Sequence, residues 1–191
     1  MVRRRDWLAQ LQLTLAAFTL VFAVFGIGSL VYLLGANEVC TDVLGAAPVV
    51  AVPGLRDGAT PGATVSVCTA SPTVAQSVYA SLVEGLWPLV SAVAAALLWR
   101  IVRDCRRADP FTASTVRRLR QLTVFVLLAG GVAAVAQMVA ADALAATFVA
   151  DGFHPSDTPV WAWLLVGLGL AAIAEIVNRG VALRAELDTV I

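Results

Sequence analysis

The chain has 191 residues, of which 60% are hydrophobic and 14% are charged, and its formal net charge is zero. A soluble domain is typically about 45–50% apolar and about 25% charged, so this composition argues against one. A net charge of zero provides no overall field to attract nucleic acid, and we expect no direct nucleic-acid partner. All 13 basic residues are arginine, a bias typical of GC-rich bacterial genomes.

The first apolar run predicts a membrane span at about residues 11–35. Arg3, Arg4 and Arg5 precede it, and no charged residue lies between Trp7 and Asn37. A basic start followed by an apolar run also occurs in signal peptides. Because a signal peptide has an apolar core of only about 7–15 residues, whereas a span needs ~20, we interpret the run as a retained transmembrane helix.

The segment at 37–75 is rich in proline and glycine. Two short pieces, 48–52 and 63–68, have the apolar or alternating pattern of strands, and a turn-rich stretch separates them. They predict a small β-hairpin, a structure that is marginal on its own in water. Cys40 and Cys68 bracket it, and a disulfide between them would close a loop of 29 residues. Such a closure stabilises by roughly 3–4 kcal/mol in the chain-entropy model.

Three further apolar runs predict spans at about 76–103, 120–142 and 159–178. Only 15 uncharged residues separate Glu84 from Arg100, so we expect the second helix to begin near Thr73 or Gln76 and to run past Arg103. Pro88 should kink it or occupy a locally relaxed turn. The predicted fold is an all-α membrane protein, a bundle of four transmembrane helices with a disulfide-closed hairpin in its first outer loop.

The distribution of arginine predicts the orientation. The N-terminus has three arginines and the segment 99–122 has seven, whereas the loop before the second span has only Arg56 and residues 142–158 have none. The positive-inside rule therefore puts both termini and a hinge at 104–119 in the cytoplasm. In a bacterial plasma membrane, Cys40 and Cys68 would then face the oxidising side, and Cys105 would be a free thiol on the reducing side.

The hinge holds most of the candidate contact residues. Asp109-Pro110-Phe111-Thr112 indicates that one helix stops and another starts, with Asp109 or Thr112 as the N-cap. The surrounding arginines can anchor anionic lipid headgroups of the bilayer, or they can form a docking surface for a cytoplasmic partner. The candidate residues for either contact are Arg103, Arg106, Arg107, Asp109, Pro110, Phe111, Thr112, Arg117, Arg118 and Arg120.

Four polar residues fall within or beside the predicted spans: Glu84, Gln137, Asp142 and Glu175. Ionisable groups inside a membrane are candidates for function, and these four could line a pathway through the bundle. Alternatively, Glu84 and Asp142 lie at headgroup level. Glu175 is spaced for a helical ion pair with Arg179, and Arg100 or Arg103 are its alternative partners.

The sequence has no recognisable catalytic, cofactor or metal signature. Its single histidine, His154, has no Cys or carboxylate cluster near it in sequence, whereas a zinc site takes three or four ligands. The glycines of Gly26-x-Gly28 and Gly130-Gly131 are interpreted as positions where helix backbones approach closely. Such small residues can serve packing within one bundle or contacts of a homo-oligomer.

Two segments resemble a known family. DPFTASTVRRLRQL, at 109–122, is similar to the Pro-Phe-Thr…Arg-Leu-Arg segment of the bacterial four-span membrane proteins called domain of unknown function 2975 (DUF2975). The C-terminal AEIVNRGVALRAELDTVI resembles that family's closing segment through Gly180, Leu183-Arg184 and Glu186. The resemblance implies four spans with a larger first outer loop and no known reaction. Because members are found encoded beside helix-turn-helix regulators, it also implies a membrane partner that holds or releases a DNA-binding protein.

These observations predict a non-enzymatic inner-membrane protein with a sensory or regulatory role. Its hinge and tail would bind a cytoplasmic regulator of the helix-turn-helix type, and its outer loop would meet the signal. The alternative is a small transporter or channel subunit that uses Glu84, Gln137, Asp142 and Glu175. A membrane enzyme would need a cluster of acid, base or metal-binding residues that the sequence does not display.

Overall fold

The protein is described by a computed structural model that covers residues 7–44, 64–107, 112–148 and 160–188. All four helices are long and apolar enough to cross a membrane, and they leave many large hydrophobic side chains on the outer surface. This confirms the prediction of a four-span helical bundle. The elements in chain order are α1 (Trp7–Leu34), β1 (Val39–Leu44), β2 (Thr64–Thr69), α2 (Val74–Arg107), α3 (Ala113–Phe148) and α4 (Val160–Asp188).

Each helix packs mainly against its neighbours along the chain, in the order α1, α2, α3, α4. Helices α1 and α2 approach each other closely at one glycine of each helix. A Cβ added to Gly26 would lie 2.9 Å from Leu89 Cγ, and one added to Gly85 would lie 2.8 Å from Leu30 Cδ2. Because neither glycine has a side chain, the leucine of the facing helix lies directly on its backbone. This is how closely packed membrane helices gain dispersion energy.

Antiparallel packing gives the bundle two ends. At one end, which we call the arginine end, α1 and α3 begin and α2 and α4 end. The opposite end carries the β-hairpin, and we call it the hairpin end. The main core lies towards the arginine end and is formed by Ile101, Leu119, Leu122, Val126 and Ala174, which come from three helices. An apolar cleft of about 340 Å³ lies between α1 and α4, and residues of α2 and α3 also line it.

The hairpin differs in part from its prediction. β2 coincides with the predicted second strand, but its antiparallel partner is β1, with Cys40 opposite Cys68. Strand formation at 39–44 was therefore missed, and the predicted strand at 48–52 lies outside the described residues. The pattern of β1 explains its placement, because Val39 and Thr41 are buried and Cys40 and Asp42 are exposed. One face of the strand rests on the helix ends, and the other faces outwards.

Helix α2 begins with a capping box. The Thr73 amide donates to Gln76 Oε1 at 2.8 Å, and the Gln76 amide donates to Thr73 Oγ1 at 3.3 Å, so two amides of the first turn are satisfied. The helix then continues through Pro88, which is almost fully buried. At its other end it reaches Arg107, beyond the predicted span at 76–103.

Candidate functional site

The described arginines of the connector all lie in helices. Residues 104–107 of the predicted hinge belong to α2, and residues 113–119 belong to α3. Thr112 caps α3, because its Oγ1 accepts from the Thr115 amide at 3.3 Å and its carbonyl accepts from the Val116 amide at 3.2 Å. Asp109, Pro110 and Phe111 lie outside the described residues. The arginines are therefore displayed on two rigid helix ends rather than on a loop.

One acidic residue joins these two helix ends. Asp104 of α2 accepts a hydrogen bond from Arg118 Nη1 of α3, and its other oxygen lies 3.9 Å from Arg103 Nε. Arg106, also in α2, donates to the side chain of Gln12 in α1. Side chains of α2 therefore bond to both α1 and α3 at this end of the bundle.

A second acidic residue joins α3 to α4. Glu175 lies 3.2 Å from Arg179 Nε, the pair that their spacing predicted, and its other oxygen lies 3.9 Å from Arg120 Nη2. The partner on another helix is therefore Arg120, whereas Arg100 and Arg103 were the expected alternatives. All three side chains are at least half exposed, so these pairs orient the helices more than they stabilise the fold.

Two grooves flank the start of α3, and each has a volume of about 540 Å³. The first, which we call the Trp99 groove, lies between α2 and α3. In it the Arg103 guanidinium carbon lies 5.0 Å from the centre of the Trp99 ring, a cation–π contact. The groove is lined by Leu97, Trp99, Arg100, Ile101, Arg103, Asp104, Arg118, Gln121 and Leu122.

The second groove, which we call the Asn178 groove, lies between α3 and α4. Its polar groups are Arg117, Arg120, Gln121 and Asn178, and its apolar wall is formed by Ala113, Val116, Val124 and Val181. Gln121 lines both grooves, so the exposed ridge of α3 separates them. Both grooves therefore combine guanidinium groups with an apolar floor, which is a suitable environment for an amphipathic or anionic ligand.

Several groove residues were absent from the predicted contact set, namely Trp99, Arg100, Asp104, Gln121 and Asn178. A helical signal could have found the first three. Trp99 and Arg103 are four residues apart, as are Arg100 and Asp104, and residues at this spacing are neighbours on a helix surface. The spacing becomes informative once α2 is known to continue to Arg107.

The four polar residues predicted within the spans do not share one environment. Gln137 is buried and donates from Nε2 to the backbone carbonyl of Val83 at 2.6 Å. By contrast, Glu84 and Asp142 are exposed on the outside of the helices, and Glu175 belongs to the ion pairs at the arginine end. Gln137 therefore has a clear structural role, and no observation among the described residues joins the four into a pathway.

A disulfide bond links the two strands at the hairpin end. Cys40 and Cys68 form a disulfide with an S–S distance of 2.03 Å, as predicted, and Cys105 is a free thiol. Val39, next to Cys40, is 2% exposed and packs with Ala80 and Leu144 at the ends of α2 and α3. Glu38 Oε1 lies close to both sulfurs, but a disulfide-bonded sulfur has no thiolate to offer a metal ion.

Fold and disulfide together define a class: a four-span membrane protein with a disulfide-closed hairpin at one end and an arginine-rich helix junction at the other. Residues 59–191 match the family described as "Protein of unknown function (DUF2975)". The chain belongs to this family, as the resemblance of its two motifs indicated. No curated protein and no solved structure matches the chain.

Proposed function

We propose that the protein is a non-enzymatic membrane regulator whose arginine end binds a cytoplasmic DNA-binding protein. The observation that carries this proposal is that exposed arginines lie on the helical ends of α2 and α3. Arg107 and Arg117 are exposed and make no hydrogen bond or ion pair within the part of the chain that the structure describes. Two exposed guanidinium groups on helix ends favour an acidic protein surface.

The position of the hairpin supports a sensory role for the opposite end. Through Val39, the disulfide-closed hairpin contacts α2 and α3, and these are the helices that carry Arg107 and Arg117. A shift of the hairpin would therefore act on helices that extend to the arginine end. Packed helices that move as rigid bodies are one established route of coupling between distant sites.

The test is a site-specific crosslinking experiment in cells. A photoreactive amino acid at Ser114, an exposed position three residues before Arg117, should crosslink to a DNA-binding protein. Arg107→Ala/Arg117→Ala should abolish that crosslink and change transcription of the regulator's target genes. Arg56→Ala, an arginine in the segment between the two strands, serves as the control and should leave both unchanged.

Two outcomes would overturn the proposal. One is a Ser114 crosslink that yields no DNA-binding protein, together with transcription that Arg107→Ala/Arg117→Ala leaves unaltered. The other is an equal response to Arg56→Ala, which would assign the effect to general loss of positive charge. In neither case would transport follow as the function, since the polar residues considered for it lie in separate environments.

A further inference from the structure

The residues that line the Trp99 groove in the described part of the chain carry an excess of positive charge. Arg100, Arg103 and Arg118 line it, and among the described residues that line it only Asp104 has a carboxylate. Three guanidinium groups against one carboxylate leave an excess of two positive charges. Asp104 is already engaged with Arg118 and Arg103, so a ligand that neutralises the remainder must be an anion.

Two of these arginines have unused hydrogen-bonding capacity. Arg100 is exposed and makes no hydrogen bond or ion pair with any residue that the structure describes. Nε of Arg103 is buried without a hydrogen-bond partner, since the nearest Asp104 oxygen is 3.9 Å away. Desolvating a donor without giving it a partner costs free energy. The Arg103 side chain as a whole is nevertheless 38% exposed, so a phosphate in the groove can reach its guanidinium group, and guanidinium groups bind phosphate in bidentate geometry.

The surroundings of the charges favour a lipid over a soluble anion. The groove also contains Leu97, Ile101 and Leu122, of which the last two belong to the main core of the bundle. Its tryptophan lies where α2 passes from uncharged to arginine-rich sequence, the level at which tryptophan marks a membrane interface. A free anion gains nothing from an apolar wall, whereas a phospholipid can lay its acyl chains along it.

We propose that the Trp99 groove binds the headgroup phosphate of an anionic phospholipid, with Arg100 and Arg103 as its principal ligands. Arg118 contributes charge but is already paired with Asp104. Basic pockets between helices, at the level of the headgroups, are a recurrent form of lipid recognition. This inference does not depend on the proposed regulatory role, because lipid binding needs no protein partner.

The experiment is native mass spectrometry of the intact protein, purified in detergent and given equal amounts of phosphatidylglycerol and phosphatidylcholine. The wild type should retain phosphatidylglycerol preferentially. Because each hydrogen bond to a charged group is worth about tenfold or more in affinity, Arg100→Gln/Arg103→Gln should lower that preference roughly tenfold or more. Arg179→Gln/Arg184→Gln removes the same charge at exposed positions outside the groove and should leave the preference within about twofold, because solvent screens charges that do not contact the lipid.

A further variant and a competitor complete the test. Arg100→Gln alone removes an exposed side chain that bonds to none of the described residues, so it should fold normally and still lower the preference. Inorganic phosphate at millimolar concentration should not displace the lipid. The proposal is overturned if the wild type shows no preference, if both double variants lose it equally, or if inorganic phosphate competes, which would identify a site for soluble anions.

Discussion

Gln137 of α3 donates a 2.6 Å hydrogen bond to the backbone carbonyl of Val83 in α2. The acceptor is next to the carbonyl of Glu84, to which Pro88, four residues later, has no N–H to donate. A buried side chain of the neighbouring helix thus supports α2 where its own hydrogen-bond ladder is interrupted. This bond explains why a polar residue lies in the apolar interior of the bundle.

Replacing Gln137 by leucine should therefore destabilise the bundle. Hydrogen bonds between membrane helices contribute about 0.6 kcal/mol on average and up to about 1.7, and the short distance and burial of this one predict a loss of about 1 kcal/mol. The free energy of unfolding in mixed detergent micelles would measure it. Gln121→Leu, the same change at an exposed position of α3, is the matched control. Equal losses in the two variants would contradict the assigned role.

Alanine substitutions at the two adjacent glycines of α3 should have different effects on stability. A Cβ on Gly130 would lie 2.5 Å from Trp163 Cδ2 of α4, whereas a Cβ on Gly131 would meet nothing within 4 Å. Gly130→Ala should cost roughly 1–3 kcal/mol through overpacking. Gly131→Ala should be neutral or stabilise by up to about 1 kcal/mol, since alanine is the better helix former. The thermal unfolding temperature of each variant in detergent would measure these effects. Destabilisation by Gly131→Ala would instead indicate a contact with another chain at that face.

The ion pair between Asp104 and Arg118 should contribute little to stability. Their side chains are 41% and 51% exposed, and exposed pairs contribute about 0.2–1 kcal/mol. A double-mutant cycle with Asp104→Asn and Arg118→Gln should thus give a coupling energy below about 1 kcal/mol. The coupling should weaken further in high salt. A coupling of several kcal/mol would show that the junction is buried in the membrane-embedded protein.

The arginine and hairpin ends should be labelled from opposite sides of the membrane. In a Cys105→Ser background, Ser114→Cys places a thiol at an exposed position of the arginine end. A membrane-impermeant maleimide should modify it only after the cells are permeabilised, because the arginine distribution predicts a cytoplasmic location. After gentle reduction of intact cells, Cys40 and Cys68 should be modified without permeabilisation. The reverse labelling pattern would show that the protein has the opposite orientation in the membrane.

Loss of the disulfide should affect the hairpin more than the helices. In the chain-entropy model, closing a loop of this length stabilises by roughly 3–4 kcal/mol, and an isolated two-stranded hairpin is marginal. Cys40→Ser/Cys68→Ser should therefore increase proteolysis between the strands and leave the helical content unchanged, as circular dichroism would show. Cys105→Ser is the control and should alter neither. Loss of helix on removing the disulfide would mean that the hairpin is required for the bundle.

Local sequence accounts for much of the fold. The length of each apolar run determined that there are four spans, since crossing a bilayer depends on the number of consecutive apolar residues. Two cysteines bracketing a turn-rich segment predicted the disulfide. The strand at 39–44 was missed because it is paired across an interval of about twenty residues, and nothing in a six-residue segment reveals a distant partner.

The tertiary structure decided how residues with similar sequence surroundings differ in their contacts. Gly130 packs against Trp163 while Gly131 is open, and Gln137 is buried while Glu84 faces outwards. These differences depend on the rotation of each helix about its axis, and contacts with its neighbours set that rotation. The sequence by itself determined the four spans, the paired cysteines and the concentration of arginine at one connector. Only the packed helices decided that Asp104 and Glu175 each neutralise part of that charge, and that Arg100 and Arg103 lie together in one groove.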